Sequence, residues 1–357
     1  MIVTFPHMGP LYITLQSLLS NLGLQVMAPP PITKKTVETG ARYAPETACL
    51  PLKVTLGNYI EALEAGADTI VTCGGVGPCR LGYYAQVQQE ILSELNYKFK
   101  MVVIEPDVLQ VIKIIRQLAP QAGMKTLYRA FTLAGAKMNA LDLLGDVVRE
   151  VRATEKLSGT ADRVYQEAVA EIEAASELGA LPDICDMYRE KLCALEKNGQ
   201  VPLQIGLVGE IYVMLENFVN LDLEQRLGRL GVHVHRTMSL TDYVRTHLLK
   251  NKPYLARHNE IVTAAAPYLG HGVGGHGLRS IGATVEMAKQ GFDGILHVFP
   301  FTCMPEVIAK NILHQTSNDH KIPVLSLAFD EQSAEAGVVT RLEAFVDLLT
   351  YRRRLRV

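Results

Sequence analysis

Short apolar strands alternate with helical segments in two blocks of this chain, and that alternation narrows the fold more than any other feature. In the first block, residues 2–5, 24–28, 69–72 and 101–104 read as strands, with helices over 10–22, 33–42, 54–65 and 83–95. In the second, 203–208, 232–235, 293–298 and 324–327 read as strands, with helices over 217–230 and 340–349. A helix between successive strands implies parallel pairing, because parallel neighbours need a crossover. Between the blocks, apolar residues recur at helical spacing, as at Leu141, Leu144, Val148 and Val151, with no convincing strand. The expected fold class is α/β: parallel-sheet domains over 1–107 and 201–357, joined by a helical insertion over 108–200.

A length of 357 residues allows each domain its own core. The net charge of −2, with both signs mixed, leaves no basic stripe for nucleic acid, and Arg352, Arg353 and Arg354 read as a solvated helix end. No apolar run reaches the roughly 18 residues of a membrane span. The first residues read as a strand and lack the features of a signal peptide, so a cytoplasmic protein is expected. Six cysteines are too sparse for a secreted disulfide scaffold.

Four of those cysteines stand in loops at expected strand or helix ends. Cys49 lies in Pro45-Glu46-Thr47-Ala48-Cys49-Leu50-Pro51, and Cys303 in Pro300-Phe301-Thr302-Cys303-Met304-Pro305-Glu306. Cys73 and Cys79 flank Gly74, Gly75, Gly77 and Pro78. Proline and glycine open the backbone there, and thiolates gathered from distant loops suit a soft metal or an iron–sulfur cluster. Ligands in open α/β sheets bind at the carboxyl ends of the strands. Cys49, Cys73 and Cys79 are therefore expected on one wall of an interdomain cleft, and Cys303 on the other. Cys185 and Cys193 fall in a helical stretch, where core packing is expected and a reserve ligand role stays open.

The segment from Gly270 to Ser280 reads as a glycine-rich loop entering a helix, where Arg279 suits an anion. His271 and His276 in that loop suit proton donation or metal binding. Glu46, Glu210, Glu306, Asp330 and Glu331 stand near expected strand ends; Glu210, Glu306 and His276 are carried forward as candidate catalytic residues. Neither a Walker A loop nor a GxGxxG after the first strand is present, which argues against ATP hydrolysis and ordinary dinucleotide binding.

Taken together, the Pro-Glu-x-x-Cys49 segment, Cys73 after the next apolar strand and the Phe299-Pro300-Phe301-Thr302-Cys303-Met304-Pro305-Glu306 loop resemble a known superfamily. It is that of the 2-hydroxyacyl-CoA dehydratase D-component and benzoyl-CoA reductase. Gly209-Glu210, Gly291-Phe292-Asp293-Gly294-Ile295 and Asp330-Glu331 add to the likeness, which is greatest to the CoA-protein activase-like or double-cubane-cluster-like branch. The resemblance implies two flavodoxin-like (Rossmann-like) domains and an oxygen-sensitive iron–sulfur cluster in the cleft. Cys49, Cys73 and Cys303 match the three family cysteines; Cys79 has no counterpart in that pattern and is expected to complete either a four-thiolate 4Fe–4S site or part of an 8Fe–9S double cubane. It also implies an ATP-hydrolysing activator with its own 4Fe–4S cluster as electron donor, and a homo- or heterodimer with a related subunit. The expected function is an anaerobic iron–sulfur reductase of a small substrate. The alternatives are a 2-hydroxyacyl-CoA dehydratase subunit and a non-catalytic electron-transfer or cluster-carrying subunit.

Overall fold

A computed structural model describes residues 1–75 and 77–356. Val76, inside the Cys73–Cys79 loop, lies outside the described residues. The first block forms β1 (Ile2–Thr4), α1 (Leu11–Asn21), β2 (Gln25–Val26), α2 (Lys34–Tyr43), α3 (Leu50–Glu64), β3 (Thr69–Cys73), α4 (Leu81–Glu94) and β4 (Lys100–Ile104). Four helices follow: α5 (Val108–Leu118), α6 (Met124–Arg152), α7 (Thr160–Ala174) and α8 (Ala180–Cys193). The next stretch holds β5 (Leu203–Gly209), α9 (Ile211–Leu215), α10 (Asn217–Asn220), α11 (Leu223–Arg229) and β6 (Val232–Arg236). Then come α12 (Leu240–Tyr243), a π-helical turn (Val244–Leu248), α13 (Lys252–Ala265), α14 (Gly277–Lys289), β7 (Gly294–Pro300), α15 (Met304–His320), β8 (Val324–Phe329) and α16 (Glu335–Arg356).

All strand pairs are parallel, in the orders β2-β1-β3-β4 and β6-β5-β7-β8. Both sheets thus repeat the 2-1-3-4 order of a flavodoxin-like sheet, as the α/β expectation required. The reason is visible in β7: every residue of Gly-Ile-Leu-His-Val-Phe-Pro is buried, as befits a strand covered on both faces. In such an order the first strand pairs on either side, so crossovers leave it in opposite directions. The crevice between β1 and β3, and that between β5 and β7, are the places where a ligand fits.

The two sheets share more than a linker. Leu50 and Val54 of α3 pack in one core with Ile205, Val298 and Phe329 of the second sheet. The helix is held there by α2: a Cβ on Gly57 would lie 1.9 Å from the Thr36 carbonyl oxygen, so the two helix backbones touch. Helix α6 bridges as well. Its Leu127 and Ala130 pack with Val3, Phe5 and Val71, while farther along Asp142 accepts from the Thr241 amide at 2.8 Å.

Three local details depart from the sequence reading. The helix expected over 217–230 is two helices, broken where Leu221 and Asp222 turn to positive φ. Asn220 causes the break, since its side chain donates to the Val213 carbonyl at 2.8 Å and accepts from the Leu223 amide at 3.2 Å. Helix α3 begins at Leu50 rather than residue 54, because Cys49 occupies the N-cap and Pro51 tolerates the first turn. Residues 240–265, not assigned from sequence, are mainly helical.

Glu224 clamps this assembly. Burial alone would raise its pKa, but Arg236 at 2.8 Å and Arg149 at 3.6 Å outweigh burial and hold it down at about 2. The folded pKa lies below the unfolded one, so this stabilisation is complete above the unfolded value and is lost as pH falls toward about 2. Glu224→Gln should therefore cost about 3 kcal/mol at pH 7 and far less at pH 3, read from urea midpoints at both pH values.

Candidate functional site

The carboxyl edges of the two sheets face each other across a recess. Arg80 spans it: one guanidinium nitrogen donates to the Thr47 carbonyl at 2.8 Å, and another donates to the Thr302 carbonyl of the second domain. Lys53 Nζ meets Glu331 Oε1 at 2.5 Å, and Glu216 Oε2 takes both His7 Nδ1 and the Gly9 amide at 2.8 Å. These links join the ends of the two domains that carry the cysteines.

Two thiols sit in the same local device. Cys49 caps α3 and Cys303 caps α15, each as Cys-x-Pro, with proline in the first turn where its missing N–H is harmless. Both are 8% exposed. Cys79 lies just before α4, half-buried, in the loop after the third strand of its sheet, which is the position Cys303 holds in the other. The glycine loop before α14 closes on this point: a Cβ on Gly274 would lie 2.9 Å from the Cys79 nitrogen, and one on Gly277 would lie 2.6 Å from the Pro305 oxygen. The N-terminal ends of α3, α4, α14 and α15 therefore meet around one recess.

Glu210 is the common neighbour. It follows Gly209, whose φ of +140° and contact with Val298 (a Cβ would sit 1.8 Å from its oxygen) admit only glycine. The tight approach places Glu210 as the cap of α9, accepting from the Tyr212 and Val213 amides at 3.0 Å. Burial raises its pKa to about 7, against the pull of those two amides, and the Glu306 charge adds to the rise. Cys49, Cys79 and Cys303 all feel the Glu210 charge, and Cys49 acts on Cys303. Burial pushes all three thiols up, which favours their protonated form. The Tyr84 hydroxyl contacts the Cys49 sulfur.

Cys73 stands apart. It ends β3 opposite Ile104, open to solvent, yet the surrounding protein and then Glu105 raise its pKa. Tyr243 is the group that senses both Cys73 and Cys79. Electrostatically, Glu210 thus acts on Cys49, Cys79 and Cys303, thiols of both domains, whereas Cys73 is acted on by Glu105.

Glu306 is fully buried, its Oε2 bonded to Ser280 Oγ and to His297 Nε2, each at 2.9 Å. It supports the first turn of α15. His276 caps α14 beside Tyr243, and burial lowers its pKa to about 4 despite the Glu306 charge. Asp330 is engaged by Ser333 and the Gln332 amide, and His271 is exposed. On α8, Cys185 packs partly against a helical core, whereas Cys193 is exposed and does not pack as expected. Arg80, Tyr84 and Tyr243 were missed from sequence; Arg80 had one signal, its place directly after Cys79 in a glycine loop.

Among the described residues, no three His, Cys, Asp or Glu side chains close on a point as a preformed single-ion site would. The donor set nevertheless suits a larger thiolate-held group, whose ligands stand farther apart than those of one ion. Thr302 Oγ1, His276 Nδ1 and Glu306 Oε1 are also buried without partners around the recess.

The fold is that of a two-domain α/β protein, with Cys49 and Cys303 capping helices on either side of the Arg80 bridge. The model of the CoA enzyme activase uncharacterised domain matches residues 7–240, and the chain belongs to that family. This membership fits the resemblance to the 2-hydroxyacyl-CoA dehydratase and CoA-protein activase-like superfamily. The match includes Cys49, Cys73, Cys79 and Glu210 and ends before His276, Cys303 and Glu306. A search of curated proteins returned no match. No helix among the described residues is long and apolar enough to cross a membrane.

Proposed function

We propose that the recess holds an iron–sulfur cluster on Cys49, Cys79 and Cys303, with Cys73 on the adjoining wall, and that the chain is a redox protein reducing a small substrate. The observation that supports this most directly is that Glu210 acts on three thiols from both domains, two of them buried and one half-buried. Family membership supports a place in the activation of a CoA enzyme. The electron donor in this reading is an ATP-hydrolysing activator protein. A bound cluster would supply the capacity to take up and pass on single electrons.

The chain's own groups have defined parts. Arg80 ties the Cys49 loop to the Cys303 loop, so the two domains hold a fixed separation at the recess. Glu210, with a pKa near 7, can hold or release a proton close to neutrality, which suits delivery of a proton to a reduced substrate. The Tyr84 hydroxyl can donate to a Cys49 thiolate and stabilise its charge. Leu52, packed with Cys49 and Tyr84, keeps water from that side.

Anaerobic purification with iron and acid-labile sulfide analysis tests the proposal. About four irons and four sulfides per chain are expected for one cubane, and about eight irons for a double cubane. Colourless protein containing zinc and no sulfide would overturn the reading.

A further inference from the structure

The carboxyl end of β6 opens into a second cavity, of about 280 Å³, between that strand, α13 and α14. None of the cysteines lines it. Three arginines do, and two of them are already paired: Arg236 with Glu224 at 2.8 Å and Arg257 with Glu260 at 3.2 Å. Arg279 is different. Among the described residues no carboxylate stands within ion-pair distance of it. One of its terminal nitrogens donates to the Thr237 carbonyl at 2.5 Å, while its Nε is buried without a partner. Asp242 is the acid that most affects it, and Asp242 Oδ2 is turned to the Ser239 amide at 3.3 Å. His258, on the same lining, also has a buried Nδ1 without a partner.

A half-buried guanidinium with a buried Nε left unbonded and no carboxylate in direct contact gains from an anion that completes it. We infer that this cavity binds a small organic carboxylate, its charge on Arg279 and its apolar body against Ile261, Met287 and Phe292. The lining selects that chemistry. With Arg236 and Arg257 in ion pairs, Arg279 is the lining arginine without a direct carboxylate partner, and Asp242 and Glu286 on the same walls disfavour a dianion such as phosphate more than a monoanion. The volume stands at the lower edge of ordinary ligand pockets, which run from about 300 Å³, so a nucleotide or an intact CoA does not fit. The apolar wall favours a short acyl or aromatic acid over a sugar acid. This site is independent of the cluster reading, because none of its groups holds the thiols.

Benzoate is the probe, with benzamide and inorganic phosphate as comparisons, in isothermal titration and thermal unfolding of the full chain. Benzoate should release or absorb measurable heat and raise the unfolding temperature. Benzamide, which keeps the shape and loses the charge, should bind about tenfold more weakly or worse. Arg279→Gln should weaken benzoate by a similar factor. The inference fails if benzoate gives no signal at tens of millimolar, if phosphate binds more tightly than benzoate, or if a folded Arg279→Gln protein binds benzoate unchanged. Should that variant not fold, the comparison of benzoate with benzamide on the unaltered chain decides the matter alone.

Discussion

Serine in place of Cys49, Cys79 or Cys303 is expected to remove most of the iron from anaerobically purified protein, whereas Cys73→Ser should retain the larger part. Cys49, Cys79 and Cys303 lie in the field of Glu210, and Cys73 lies beyond it, near Glu105. Removing one of three thiolates leaves an iron without a strong ligand, and binding free energy of this kind is lost severalfold in occupancy. Serine is close to cysteine in size, and the caps of α3 and α15 accept it readily, so the fold should survive. Iron and sulfide per chain, with visible absorption, provide the measurement. Equal losses from Cys73→Ser and Cys303→Ser would mean that Cys73 is a full ligand and that the three-thiol assignment is wrong.

Glu306→Ala should destabilise the protein by about 3–5 kcal/mol, the usual consequence of removing one partner from a buried charged network. Glu306 is fully buried between Ser280 on α14 and His297 on β7, so its loss strands two polar groups in the core. It is also the acidic residue in the first turn of α15, where a carboxylate complements the helix end. Glu306→Gln keeps a hydrogen-bonding oxygen and should cost clearly less. Urea denaturation of both variants separates the cases. A loss under about 1 kcal/mol for alanine would show that the contact adds little to the fold.

The likeness of the two halves was legible in the sequence wherever a signal was local. The apolar run of β7 announced a buried parallel strand, and the Cys-x-Pro segments announced helix starts beside open backbone. What the sequence left open depends on distant partners. Arg80 and Thr302 are 222 residues apart, and nothing near either one names the other. That Leu50 and Val54 sit in the core of the second sheet follows from how α3 docks, which its own periodicity does not encode. The break at Leu221 follows from Asn220 bonding both sides of it, a competition between side chain and backbone that propensity alone does not resolve.

Four helices direct their N-terminal ends at the recess. Each end favours a nearby negative charge by about 0.3–1 kcal/mol through its peptide dipoles. Arginine or lysine lining a site can be substituted away, and histidine loses its charge as pH rises. Peptide groups do neither. The backbone therefore adds a positive contribution at the recess, set against the Glu210 and Glu306 carboxylates, that persists across pH and across every side-chain replacement that leaves the helices intact.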